Sequence, residues 1–250
     1  MAKMSWDATG SRFFHTGVSD VALFMQTGLS SSNDGYVTGI PWSGVTSITQ
    51  SPDGADAQNF YADNIKYLSI RAKENWKGTI KCFQYPEEFN KCLGMKELAT
   101  GSGVYVCQQS RSSFGLVWKT KVGNDILGED AGYMIHIAYG LTAGPSEKEN
   151  NTTNETPEAV EFSFDLESTP ATPEDEIEGI EATSYIEFSS LDFVDADPTQ
   201  STAKADLLQD IIDYIYGTDE STPSAGDDTD PTMPTIDWLK EKLDEVYDAD

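Results

Sequence analysis

The chain has 250 residues, with 16 Lys plus Arg against 43 Asp plus Glu and a formal net charge of −27 at pH 7. Apolar residues at 38% and aromatics at 11% are too many for a chain held wholly disordered by self-repulsion, so a sizeable core is expected. A polyanion of this strength is poorly suited to gripping nucleic-acid phosphates, which takes Lys and Arg to displace counterions, or to anionic membrane surfaces.

The charge is divided unevenly. Residues 1–148 hold 13 basic and 14 acidic side chains, whereas residues 149–250 hold 3 basic and 29 acidic. A near-neutral part of net −1 is thus joined to an acidic part of net −26. The opening Met1 to Asp7 lacks the apolar run of a secretory signal, and no stretch reaches the ~20 apolar residues of a membrane span.

In chain order, Val18–Gln26, Tyr36–Ile40 and Val45–Thr49 are short runs rich in β-branched and aromatic residues. Asn33-Asp34-Gly35 and Pro52-Asp53-Gly54 read as turns. Ile65–Ala72 and Lys77–Tyr85 read as a strand pair around Asn75-Trp76. Pro86 to Leu93, closed by Gly94, is a short helix. Phe114–Val122 and Tyr133–Leu141 form a second pair, and Ala159–Glu167 and Ser184–Phe188 complete eight to ten strands. In Ala159–Glu167, Phe162, Phe164 and Leu166 alternate with acidic or small residues. The expected fold class is mainly β, a sandwich or barrel.

Two helices follow. Ala203–Tyr216 repeats Leu207, Leu208, Ile211, Ile212 and Ile215 at helical spacing before Gly217. Thr235–Val246 places Ile236, Leu239, Leu243 and Val246 on one face, with Thr235 as N-cap. The organisation predicted is a β domain over 1–200 and an acidic helical segment over 201–250, with a linker at 218–234 that reads as flexible or extended.

Catalytic material is scarce. His136 sits inside an alternating strand and reads as a core or interface histidine, and His15 beside Phe13 and Phe14 reads as packing. Gly101-Ser102-Gly103 lacks the third glycine of a dinucleotide fingerprint. Asp227-Asp228-Thr229-Asp230 and Asp53 to Asp63 lack the glycine and terminal glutamate of a calcium loop. Cys82, Cys92 and Cys107 match no zinc or redox spacing and read as reduced thiols. No catalytic residue, cofactor site or metal site is assigned, and the chain is expected not to be an enzyme. The aromatics Trp6, Phe13, Phe14, Trp42, Phe60, Tyr61, Tyr67, Trp76 and Trp118 are expected partly in the core and partly at subunit interfaces, where aromatics are enriched.

A collinear series of segments resembles one family. It runs through Trp6-Asp7-Ala8-Thr9-Gly10, His15-Thr16-Gly17-Val18-Ser19, Pro41-Trp42-Ser43-Gly44-Val45-Thr46 and Tyr61-Ala62-Asp63-Asn64-Ile65-Lys66-Tyr67. It continues through Tyr85-Pro86-Glu87-Glu88-Phe89, Gln108 to Leu116, Gly123-Asn124-Asp125 and His136 to Gly140. On these residues the chain is similar to the major tail protein (tail tube protein) family of long-tailed, non-contractile bacteriophages. The resemblance implies a tail-tube-type β-sandwich with a flanking helix, six subunits to a ring, and a long hairpin from each subunit lining the lumen. Ile65–Tyr85 is the candidate for that hairpin.

The resemblance further implies rings stacked into a tube that conducts the genome without binding it specifically. Its partners would be the tape-measure protein, the tail terminator and the distal tail or baseplate proteins. The location would be the virion tail, assembled in a host bacterial cytoplasm. The acidic stretch Pro173–Glu181 departs from the shorter, less charged connection expected there. The lumen wall is expected to be acidic or neutral, and the linker Thr218–Pro234 to lie outward or between rings, with the acidic end restraining assembly. Removing Ser221–Asp250 is accordingly expected to speed polymerisation. The alternative is a monomeric adhesive or carbohydrate-binding β-sandwich.

Overall fold

The computed structural model describes residues 6, 8–26, 35–54, 56–71, 73–146, 148, 152, 159–173, 177, 179–195, 197–219 and 228–247. Its strands are β1 (Phe14–Met25), β2 (Ile40–Pro41), β3 (Val45–Gln50), β4 (Asp53–Gly54), β5 (Ala57–Ala62), β6 (Ile65–Arg71), β7 (Glu74–Asn75) and β8 (Lys77–Cys82). They continue with β9 (Lys96–Glu97), β10 (Tyr105–Val106), β11 (Phe114–Asn124), β12 (Gly128–Ala143), β13 (Phe162–Ser168) and β14 (Tyr185–Ser189). The helices are α1 (Pro198–Tyr216) and α2 (Ile236–Tyr247).

One antiparallel sheet carries the fold, in the order β2-β1-β11-β12-β13-β8-β3, with β14 also paired to β12. The long β12 serves two neighbours on one edge: Met134–Ala138 pair with β14, and Leu141–Ala143 pair with β13. The sheet thereby turns over into two layers and almost closes, because Trp42 N donates to Val21 O at 2.7 Å just before β3 begins.

Side-chain alternation divides the core in two. Leu23, Met25, Leu116 and Trp118 point between the layers to Trp42, Ile80, Phe89 and Phe164. Their sequence neighbours Ala22, Phe24 and Val117 point the other way, with Ile135, Ile137 and Tyr139, towards Leu207, Ile211 and Ile215 of α1 and Leu239 of α2. Strands covered on both faces need apolar residues at nearly every position, which is why Phe114–Trp118 is buried without a break. The mainly β fold expected from the sequence is the one observed.

The helices are set as their ends dictate. Asp197 caps α1 through the Gln200 amide, Pro198 occupies the first turn, and Gly217 at φ +76° ends it, where a Cβ would lie 2.7 Å from Thr229 O. The Trp238 amide donates to Thr235 Oγ1 at 3.0 Å, capping α2. The boundary expected at residue 200 falls in the first turn of α1, and both helices share a core with the sheet.

Three expectations need correction. Lys77–Cys82 does not pair with Ile65–Arg71; it lies in the main sheet between β13 and β3. Pro86–Leu93 forms a 3-10 turn over Glu87–Lys91 that plugs Phe89 into the core, not a full helix. The linker is pinned at its far end: Pro231 O accepts the Gly39 amide, Pro234 O accepts the Tyr139 hydroxyl, and Met233 is buried. Residues 220–227 of that linker lie outside the described residues.

Candidate assembly surface

From Val45 to Cys82 the chain makes one long hairpin. Partner numbers add to 128 at Ile48/Ile80, Gln50/Gly78, Asp53/Asn75, Gly54/Glu74, Ala57/Arg71 and Phe60/Leu68, so the register holds from Ile48/Ile80 to Phe60/Leu68. The root, β3 with β8, belongs to the main sheet. The outer part, β5 with β6, pairs only with itself among the described residues, and every residue of both strands is exposed.

The reversal is at Asp63-Asn64, with φ of +51° and +63°. A two-residue hairpin turn needs left-handed backbone at both central positions, and Asp and Asn are the non-glycine residues that tolerate it best. Sequence reading missed the turn because it has no glycine. It missed β5 because Ala57, Gln58 and Asn59 are poor strand formers. Pro52-Asp53-Gly54, expected to be a turn, instead lies along the arm, with Gly54 at φ +96°, where a Cβ would lie 3.0 Å from Lys73 O.

The arm has two faces. Direct pairing places Phe60 beside Leu68, Gln58 beside Ile70 and Ala62 beside Ile65 on one side. Asn59 beside Ser69, joined by a 2.9 Å hydrogen bond, and Ala57 beside Arg71 lie on the other. Tyr67 is the extra residue of a bulge between the Phe60/Leu68 and Tyr61/Lys66 pairs. Phe60, Leu68, Ile70 and Ile65 are 48%, 46%, 52% and 63% exposed, an apolar face with no cover among the described residues. An isolated two-stranded ribbon is marginal in water.

Its root is held firmly. Lys77 Nζ lies 3.0 Å from Asp53 and 3.4 Å from Glu167, and its ammonium holds the Asp53 carboxyl below the usual carboxylate range, helped by the Gly54 amide. Ser168 Oγ donates to Trp76 O at 2.9 Å, and Lys73 pairs with Glu181 of the acidic stretch.

The nine aromatics divide cleanly. Trp42, Trp76 and Trp118 are core residues, whereas Trp6, Phe13, Phe14, Phe60, Tyr61 and Tyr67 are exposed. His15, expected to be packed, is exposed on β1. Exposed Phe13 and Phe14 lie there; a Cβ on Gly123 would clash with the Phe14 ring and one on Gly10 would lie 3.1 Å from exposed Ile126, while Asp125 accepts the Gly10 amide at 2.9 Å.

The expected chemistry-bearing positions resolve structurally. His136 is buried, stacked 5.1 Å from Trp118. The amides of Gly101 and Gly103 are taken by the Glu97 carboxylate, which they hold below its usual range, so that loop presents no free anion cradle. Asp227 lies outside the described residues. Among the described residues no three His, Cys, Asp or Glu side chains gather as a metal site. Among them, too, no helix is long and apolar enough to cross a membrane.

No family model matches the chain, and no curated protein matches it. Solved structures to which it is similar include a chain of the anti-feeding prophage (AFP) baseplate, at 9% identity and TM-score 0.34, over 74% of this chain and 97% of that one. Others belong to an extracellular contractile injection system. One is from the PVC sheath–tube complex in the extended state, at 12% identity and TM-score 0.29 over 74% and 93% of the two chains. The other is from its sheath/tube terminator, at 12% and 0.27 over 74% and 99%. Likeness at these levels carries no functional argument.

Proposed function

We propose that this chain is a structural subunit of a bacteriophage tail tube, which polymerises through its arm into stacked hexameric rings. The observation that carries the reading is the uncovered apolar face of β5–β6, set on a rigid root. An edge ribbon of this kind invites pairing with identical neighbours, and a repeated head-to-tail contact closes a ring or extends a tube. The collinear sequence resemblance supports the tail assignment. In this reading the tube conducts genomic DNA without gripping it, meets tape-measure, terminator and distal tail proteins, and performs no bond chemistry.

Purified chain at high concentration is expected to form rings or hollow tubes in negative stain, and the variant Phe60→Ser/Leu68→Ser/Ile70→Ser to remain dispersed. A second reading, a monomeric adhesive or carbohydrate-binding module, is favoured only by the exposed rings of Tyr61 and Tyr67, at 70% and 74%. A dispersed wild-type chain that binds immobilised glycans, and loses them in Tyr61→Ala/Tyr67→Ala, would establish it instead.

A further inference from the structure

Two elements leave the same end of the molecule. Following the antiparallel pairings from β3 through β8, β13 and β12 to β11 leaves β3 and β11 running in the same sense. β3 runs out into the arm, and β11 runs to the turn that leads into β12. That turn exposes Ile126 and Leu127, and beside it Phe14, paired with Gly123, is exposed as well. The turn is firmly held: Asn124 Oδ1 accepts the Ile126 and Leu127 amides at 3.0 and 2.6 Å, and Asp125 accepts the Gly10 amide at 2.9 Å.

Charge sets this turn apart from other exposed apolar places. In a chain of net −27, β5 and β6 carry Lys66 and Arg71 and no acid. Residues 124–130 carry Asp125, Glu129 and Asp130 and no base, with Glu129 leaning on Lys121 at 3.6 Å. Lys66 and Arg71 stand on the polar face of the arm, but the ribbon is one strand layer thick, so they lie within roughly a Debye length of whatever the apolar face meets. The exposed Leu98 and Val104, by contrast, follow one base and one acid, Lys96 and Glu97. They lie between the Cys82 end of β8 and the Phe114 start of β11, at the end away from the arm.

We propose that the apolar face of the arm docks on the β11–β12 turn of a second copy, with Phe60, Ile65 and Leu68 meeting Ile126, Leu127 and Phe14. The inference rests on the tube reading and names the surface that receives the arm. Donor and acceptor are different surfaces, so the contact is head-to-tail, and a pair joined this way still has one free arm and one free turn. Both surfaces leave the same end, so one copy reaches the next by turning about an axis along the strands, without shifting along it. The contact therefore lies within a ring and leaves stacking to other surfaces.

Two chains test this, both with Cys107→Ser and with the buried Cys82 and Cys92 kept: one carries Ala62→Cys beside Ile65 on the arm, and the other, longer by a tag, carries Leu127→Cys. Co-assembled and treated with a short bismaleimide, they are expected to give the mixed dimer in excess over either like pair. A chain carrying both cysteines is expected to give a cross-linked ladder that ends at the hexamer. Ile126→Ser/Leu127→Ser, with an unchanged thermal midpoint, is expected to raise the concentration at which rings appear by about tenfold or more, because two apolar side chains no longer find cover. Rings from the parent chain without the mixed cross-link, a ladder that runs on past the hexamer, or a serine variant that assembles at the parent's concentration overturns this docking and leaves the tube reading standing. A parent chain that forms no rings overturns both.

Discussion

Cys82 and Cys92 lie in the core, where burial raises their thiols to about 11 and about 12, whereas Cys107 is exposed. The thiolate is the reactive species, so one thiol of three is expected to react rapidly with Ellman's reagent at pH 8, and all three after denaturation. Two or more fast equivalents in the native chain would contradict this packing. Phe89 is another residue whose worth is set by burial: it touches the rings of Trp42, Tyr85, Phe114 and Phe164. Phe89→Ala is expected to cost about 3–5 kcal/mol in urea denaturation, because the four rings around it cannot collapse into the cavity left behind. His136 sets a pH dependence of defined sign. Its folded-state pKa lies below the unfolded value, so its contribution is complete above about pH 6.5 and declines as pH falls below it. The urea midpoint should therefore fall less between pH 8 and pH 5.5 in His136→Gln than in the parent chain.

At the scale of elements, periodicity carried a long way. The two-sided strands β1, β11 and β12, the alternating β13, the Gly217 end of α1 and the Thr235 cap of α2 are legible because each follows from residues close in sequence, whereas α1 starts at Pro198, five residues ahead of the Ala203 expected. Thr235→Ala is expected to cost about 1 kcal/mol through the lost cap on α2, measured by thermal denaturation. The arm was legible only in part, since its chemistry was visible in Tyr61 to Tyr67 but its pairing was not. Lys77–Cys82 is as strand-like as Ile65–Arg71, and nothing local says that its partner is β3, across a turn at Asp63-Asn64. Asn64→Gly suits the left-handed position and should leave assembly intact, whereas Asn64→Val strains it and should raise the concentration at which assembly begins, read by light scattering. The pinned far end of the linker was likewise hidden, because Asp, Thr and Pro in sequence signal looseness while Met233 and Pro234 are anchored by contacts distant in the chain.

Across the whole molecule the layers run helices, then β1-β11-β12, then β13-β8-β3, so the acidic helices and the arm root lie on opposite sides. Asp206, Asp210, Glu241 and Glu245 are exposed on the helical side. A helical layer facing away from the arms would keep neighbouring assemblies apart by like-charge repulsion, which salt screens. The structure also changes what truncation means. Removing Ser221–Asp250 takes away Met233, Ile236 and Leu239, which are buried, so it is expected to destabilise the body and not to quicken assembly. The polar face of the arm carries Lys66 and Arg71, so a conduit lined by that face would not be purely acidic or neutral.

The central claim is that the apolar face of β5–β6 drives self-assembly, and negative-stain microscopy of matched samples tests it most directly. Parent chain is expected to give rings or tubes, while Phe60→Ser/Leu68→Ser/Ile70→Ser keeps its thermal midpoint and gives dispersed particles. Tubes of normal appearance from that triple variant, or no assembly by the parent chain at any concentration, would contradict the account.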